Sequence, residues 1–333
     1  MPKVSVVLIT LNAGEFLGPA VDSILAQSFR DFEVIAIDSA SSDGTRERLA
    51  GVGDPRLRLV ELPCPCGVAL PRNLGIALAQ GELIAVMDAD DVMHPDRLAR
   101  QAAFLDANPD IQVLGSSFVM MRGAERQERR QPAEDGVIKA RLVNVNGNAM
   151  HDPTVMMRAD FLREHALGYP PLETDASHGL WLDCLRAGAR FANLEEPLLF
   201  YRRHGRNHTV LKAERMQRTK RSLRVAVLQT LLPDLPSSDC ADIARVMEER
   251  RALGLLEATA GLRAIERADR IRLCAHGADR DALMAVLAYH HGRVARLLEA
   301  AIKGEGAADP GPAAGHADDD GGAATPPGPV TRR

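Results

Sequence analysis

Asp88-Ala89-Asp90-Asp91 follows the apolar run Leu83–Met87 directly. Three carboxylates at one strand end cannot all be buried and charged without a counter-ion. A hard divalent cation, Mn²⁺ or Mg²⁺, would supply it and could bridge substrate phosphates. The competing reading is a solvated acidic turn that caps the next helix. A further carboxylate, Asp38, ends another apolar run and is followed by Ser39-Ala40-Ser41-Ser42-Asp43-Gly44-Thr45. It could accept hydrogen bonds from a ribose hydroxyl or a base N–H. Turn and capping chemistry accounts for Ser42, Asp43 and Gly44, and less well for Asp38. A dinucleotide site would also use Asp38, but it needs G-x-G-x-x-G after the first strand. Thr10–Gly18 has glycines only at 14 and 18, and no G-x-x-x-x-G-K-[ST] loop is present.

The elements that must position these groups alternate in the manner of a parallel α/β sheet. Lys3–Ile9, Glu33–Ile37, Leu57–Glu61 and Leu83–Met87 read as strands. Phe16, Leu17, Ala20, Val21, Ile24 and Leu25 recur at helical spacing, and Leu70–Ala79 reads as a helix with Pro71 in its first turn. Ser42 is expected to cap a helix from Asp43. Pro95 opens a helix through Ala107, Ile111–Met121 reads as one or two strands, and Leu180–Ala187 as a helix. In such sheets ligands bind beyond the carboxyl ends of the strands, which is where Asp38 and the acidic cluster fall.

Composition narrows the class. With 46% hydrophobic and 26% charged residues over 333 positions, the chain reads as a globular enzyme. The net charge of −4 includes five acids and two arginines in 304–333, so the body is near neutral and no basic field argues for nucleic acid. Five cysteines point to a reducing compartment and not to a disulfide framework. Cys64-Pro65-Cys66 reads as a loop, because no second pair at zinc spacing follows. No apolar run is long enough for a transmembrane helix, and the expected location is the cytoplasm.

Ordered along the chain, six motifs are similar to glycosyltransferase family 2. They are Val-Val-Leu-Ile-Thr-Leu-Asn ending at Asn12, Asp38 to Thr45, Arg72-Asn73-Leu74-Gly75, the strand ending at Asp88–Asp91, Leu180-Trp181-Leu182, and Tyr201-Arg202-Arg203-His204. The resemblance covers about residues 3–209. It implies a GT-A type, Rossmann-like, mostly parallel sheet flanked by helices. It implies an inverting transfer from a nucleotide-diphospho-sugar, with UDP first among the nucleotides. By the same resemblance, Thr10 and Asp38 hold the base, with Asn12 beside them. Arg72 faces the nucleotide or its phosphates, and Asn73 shapes that turn. Asp88 lies at the ribose and metal, Asp90 is the metal ligand, and Asp91 touches the donor sugar or the acceptor. His204 approaches the metal or diphosphate, with Arg203 assisting.

The sequence departs from the family at Leu11, often aromatic, and at Ser39, often a second Asp. The larger departure concerns the general base. The family's Glu-Asp pair aligns with Ala176-Ser177, leaving Glu173, Asp175 and His178 as candidates. Asp175 is the choice, with helix N-capping as its competing role. The departure also keeps open a catalytically silent nucleotide-sugar binder or scaffold. A sugar nucleotidyltransferase would want a Gly-rich basic loop after the first strand, which Thr10–Gly18 does not supply.

The expected organisation is a nucleotide-sugar-binding half (1–122), an acceptor-binding half of the same domain (123–209), a helical region (210–303) and a disordered tail (304–333). The acceptor implied by the family is a carbohydrate or lipid-linked glycan, in cell-surface polysaccharide or glycolipid assembly. Nine Lys/Arg in Arg202–Arg224, including Lys212, Arg215, Arg218, Lys220, Arg221 and Arg224, offer either a solvated helix face or a peripheral contact with anionic membrane. Leu283, Val286, Leu287, Leu297 and Leu298 form an apolar helical stripe, which suits a core or a homodimer face.

Overall fold

The computed structural model describes residues 1–146, 148–204, 213–248 and 253–303. The expected tail, Arg206 and Lys212, and the side chain of Arg215 lie outside the described residues. The strands are β1 (Val4–Thr10), β2 (Phe32–Asp38), β3 (Leu57–Glu61), β4 (Leu83–Asp88), β5 (Val92–Met93), β6 (Val113–Arg122), β7 (Glu125–Arg129), β8 (Met156–Arg158) and β9 (Phe191–Arg202). The α-helices are α1 (Leu17–Leu25), α2 (Thr45–Ala50), α3 (Ala69–Leu78), α4 (Arg97–Ala107), α5 (Asp135–Arg141), α6 (Ala159–Glu164), α7 (Ala176–Arg186), α8 (Ala213–Leu231), α9 (Ser237–Val246), α10 (Leu255–Ala268) and α11 (Arg280–Lys303).

All nine strands form one sheet in the order β3-β2-β1-β4-β8-β6-β9-β5, with β7 pairing β6. The first four are parallel, β8 runs antiparallel between β4 and β6, and β6 pairs parallel with β9. This is the α/β architecture that the alternation predicts. The chain leaves β1 for β2 on one side and returns to β4 on the other, so the crevice opens at their carboxyl ends. Register sets Thr10 beside Asp38, and Ile9 beside Asp88.

Both faces of the sheet are covered, which is why its strands read as continuous apolar runs. Alternate residues divide between two cores. Val6, Leu8, Val34 and Ala36 pack with Leu17, Val21, Leu98 and Leu105 on one face. Val7, Ile35, Ile37, Ile84 and Val86 pack with Ile76, Leu180 and Trp181 on the other. A Cβ on Gly75 would lie 2.3 Å from Val7 Cγ1, so α3 seats on β1 only because glycine stands there.

The second core does not stop at residue 209. It continues through Leu223, Val227, Leu228 and Leu231 of α8, Ile243 of α9, Ala264 of α10, and Leu283, Val286, Leu287 and Val294 of α11. The apolar stripe of α11 therefore faces inward, against this chain. Polar ties follow the same route: Arg224 Nη2 donates to the Asn144 carbonyl at 3.0 Å, and Asp279 N to the Gly136 carbonyl at 2.9 Å. The basic helix α8 turns much of its charge the same way. Lys220 and Arg224 are buried, Arg221 pairs with Glu248, and Arg218 is exposed. No helix among the described residues is long and apolar enough to cross a membrane.

Helix α2 begins two residues later than predicted. Ser42 does not cap it; its N–H donates to Asn12 Oδ1 at 2.8 Å. Asp43 takes over, its Oδ1 accepting from Thr45 N at 3.0 Å, because Gly44 (φ 84°) turns the chain left-handed just before the helix. Cys64 and Cys66 are free thiols in the loop before α3, as their flanking prolines suggest.

Candidate active site

The buried strand β4 delivers Asp88 to the sheet edge, and the turn after it adds Asp90 and Asp91. One carboxylate oxygen from each lies within 4.8 Å of the others, the only such metal-capable group among the described residues. Asp91 is fully buried. Its Oδ1 accepts from Arg202 N at 2.8 Å, and its Oδ2 has no hydrogen-bond partner among the described residues. Burial, then the charges of Asp90 and Asp88, push the Asp91 carboxyl well above the usual range. Burial and Asp88 raise Asp90 as well. An oxygen-rich, electron-rich pocket of this kind matches a hard divalent cation.

The carboxyl end of β9 closes this cluster. His204 Nε2 lies 3.0 Å from Asp90 Oδ2. The imidazole stacks on Phe16 at 4.6 Å, and the Arg202 guanidinium lies 4.8 Å over the same ring. Arg202 Nε also donates to the Asp90 carbonyl at 2.9 Å. Arg203 and His204 line a cleft of about 190 Å³ with Arg126 and Met121. Asp90 and His204, 114 positions apart in sequence, thus meet, in keeping with the place the family resemblance implies for His204.

On the nucleotide side the predicted groups brace one another. Thr10 Oγ1 donates to Asp38 Oδ1 at 2.8 Å, and Ser41 N to Asp38 Oδ2 at 2.9 Å. Asp38 is fully buried, so a direct hydrogen bond to a base would require this loop to open. Asn12 is exposed in a left-handed conformation (φ 52°), and its N–H donates to Ser41 Oγ at 2.9 Å. The two loops after β1 and β2 are thereby held as one rim.

Arg72 differs most from its sequence-based expectation. Its side chain is fully buried, so it does not face a nucleotide directly. Nη1 donates to the carbonyls of Val7 (3.0 Å) and Met87 (2.9 Å), and Nη2 to Asp88 Oδ1. The cause is the close seating of α3 on β1 at Gly75, which points the preceding turn at the strand ends. Asn73 clasps the backbone of Tyr169, through Nδ2 to its carbonyl (2.9 Å) and Oδ1 from its N–H (2.7 Å).

Three groups near the cluster escape the motif reading. Asp152 pairs with Arg72 and accepts from Tyr169 O–H. Burial pushes its carboxyl up to about 6, against the pull of Arg72. Arg97, fully buried, donates to the Val86 carbonyl, and burial lowers it to about 9. His151 stacks on Phe118 at 4.0 Å and meets the Tyr201 ring edge-on at 4.7 Å. Its enclosed Nε2 has no hydrogen-bond partner among the described residues, and burial with Arg97 nearby lowers it to about 3.

The base candidates separate by environment. His178 is buried, with Nε2 2.6 Å from the Leu142 carbonyl, and burial lowers it to about 4. A group so enclosed cannot reach an acceptor hydroxyl without moving α7. Glu173 is exposed on the loop before that helix. Asp175 is the residue that begins α7, in a left-handed conformation (φ 57°). Such backbone strain gathers at functional sites. Asp175 does not belong to the acidic cluster itself.

Comparison with known proteins decides the family. Residues 5–165 match the model for glycosyl transferase family 2. The chain is 32% identical over 210 residues to EpsE of Bacillus subtilis, assigned as a glycosyltransferase, covering 59% of this chain and 72% of that one. The chain belongs to glycosyltransferase family 2. The transferase is also 28% identical over 303 residues to the succinoglycan biosynthesis protein ExoO of Rhizobium meliloti, covering 87% of this chain and 84% of that one. Across three curated relatives it spans 66–84% of their own length. Among solved structures it resembles S. aureus TarS 1–349 in complex with UDP-GlcNAc, with a TM-score of 0.64 and 19% identity over 91% of this chain and 92% of that one. That likeness bears on the fold of this glycosyltransferase: a mostly parallel sheet flanked by helices.

Proposed function

We propose that the transferase moves a sugar from a UDP-sugar to an acceptor hydroxyl with inversion, assisted by Mn²⁺ or Mg²⁺. The observation that carries this reading is the carboxylate cluster at the end of β4, closed by His204. The donor set fits such an ion: carboxylate oxygens converge, and one of them is buried without a hydrogen bond. Asp88 and Asp90 would hold it, with His204 beside them. The ion, when bound, would neutralise charge growing on the departing diphosphate.

The chain's own groups divide the remaining work. Arg203 adds positive charge where the diphosphate leaves, and His204 approaches the metal or diphosphate. The rim of Thr10, Asn12 and Asp38 shapes the base end of the crevice. Asp91 would touch the donor sugar or the acceptor once the turn around it opens, and Asp175 is our choice to take the acceptor proton. UDP as nucleotide is supported by the UDP-GlcNAc bound to TarS, and a role in polysaccharide assembly by the name of ExoO. The acceptor is then a carbohydrate or lipid-linked glycan on the cytoplasmic side.

Thermal melts against nucleoside diphosphates and nucleotide sugars, with Mn²⁺, Mg²⁺ or chelator, test the donor site, because a ligand that binds only the native state raises Tm. A metal-dependent shift with UDP or a UDP-sugar is expected. No shift with any nucleotide would overturn the reading. The replacement of Glu-Asp by Ala176-Ser177 favours one rival, a silent binder. Slow hydrolysis of the matching donor separates the two: an enzyme releases the sugar, and a silent binder does not.

A further inference from the structure

The Arg-Asn pair of α3 closes a ring of contacts that links the two halves of the sheet. Arg72 Nη2 reaches Asp88 Oδ1 on one side and Asp152 Oδ2, at 3.5 Å, on the other. Tyr169 O–H donates to Asp152 Oδ1 at 2.7 Å, which orients that carboxylate toward the guanidinium. The Tyr169 backbone is held in turn by Asn73, the neighbour of Arg72. Even the spacing is tuned: a Cβ on Gly168 would lie 2.7 Å from Asn73 Oδ1. The ring runs Arg72, Asp152, Tyr169, Asn73 and back through one peptide bond.

We propose that Asp152 and Tyr169 are positioning residues for Asp88. They fix the guanidinium of Arg72, which fixes the carboxylate that the proposed metal site uses. Arg72 is fully buried, so it has no solvent to turn to. Its Nη1 is committed to the Val7 and Met87 carbonyls, which sets the plane of the group. Only Nη2 then carries the direction from Asp152 to Asp88. Asp88 retains 33% side-chain exposure, so the carboxylate is braced from inside while still reaching the crevice. Partners one shell out from a metal commonly change affinity 10- to 100-fold when lost.

The inference rests on the metal reading above, so its test separates the two. Mn²⁺ is titrated into the full chain, free Mn²⁺ is read by electron paramagnetic resonance, and Tm is recorded without metal. Asp88→Asn should abolish binding. Tyr169→Phe removes one O–H and changes no charge, and Asp152→Asn removes the anchor. Both should remain folded and bind Mn²⁺ measurably more weakly, by less than the 10- to 100-fold expected for losing Arg72 itself. If both fold and bind as the wild type does, the proposal is overturned, even where Tm falls, because the ring then serves stability alone. An effect in Asp152→Asn but not in Tyr169→Phe would be the field of the lost charge, and would overturn it too. If Asp88→Asn binds Mn²⁺ undiminished, the metal reading itself fails and this inference falls with it.

Discussion

At the scale of single residues, the carboxylate cluster makes the sharpest demand. Asp90→Ala and Asp88→Ala should each lower donor turnover by about two orders of magnitude or more, since stabilisation of leaving-group charge is worth several kcal/mol. Both should also lose the Mn²⁺-dependent rise in Tm. Near-wild-type turnover in either would refute the assignment. The buried histidines give a pH signature. His178 and His151 are held neutral in the fold, lowered to about 4 and about 3. A depressed histidine contributes stability above its unfolded value near 6.5, and that stability is lost as pH falls toward the folded value. Asp152, raised to about 6, works in the opposite sense, because its neutral form is favoured in the fold. Asp90 and Asp91, raised as well, act with Asp152. The testable quantity is therefore the difference between variants: from pH 7 to pH 4 the urea midpoint of His178→Gln should fall less, or rise more, than that of the wild type. An unchanged slope in that variant would reject the assignment.

At the scale of elements, the fit of α3 against β1 is the joint on which the crevice depends. Gly75→Ala should destabilise by about 1–3 kcal/mol through overpacking against Val7, despite the better helix propensity of alanine. Val7→Ala should restore part of the loss, read as a coupling in a double-mutant cycle of urea denaturation. Much of this level is legible in the sequence. Apolar runs ending in acids place the strand ends, and the family resemblance implies His204 near the metal ligand Asp90. The inward turn of Arg72 is not legible, because it follows from how closely two elements pack. Asp152 escapes for a different reason. A search at carboxyl ends of strands passes over a residue that precedes a strand. Strand β8 runs antiparallel to β4, with Ala85 opposite Met156, so its entrance lies at the sheet edge where β4 ends. Reading that required the pairing, and pairing is not written in local periodicity.

For the whole molecule, the decisive feature is the core that continues from the sheet into the C-terminal helices. Val227, Leu228 and Leu231 are fully buried in it. Each fully buried leucine or valine is worth about 1.5–3 kcal/mol, against a total stability of about 5–15 kcal/mol. A chain ending at residue 209 should thus fail to unfold cooperatively, by circular dichroism melts, where the full chain does so. A sharp, unshifted transition in the truncated chain would show the helices to be an independent unit. Amphipathic spacing marks the apolar face of α11 without naming what it packs on, and so its partner became visible only in the fold.

The ring formed by Arg72, Asp152, Tyr169 and Asn73 also sets the terms for recombining this enzyme with its relatives. A hybrid joined near residue 122 takes Arg72 and Asn73 from one parent, and Asp152 and Tyr169 from the other. Such a splice inherits a working seam only where both parents carry the same four-residue clasp. The sheet residues after 122, meanwhile, share their core with the C-terminal helices. A hybrid should therefore exchange 123 to 303 as one piece, with the clasp as its compatibility code.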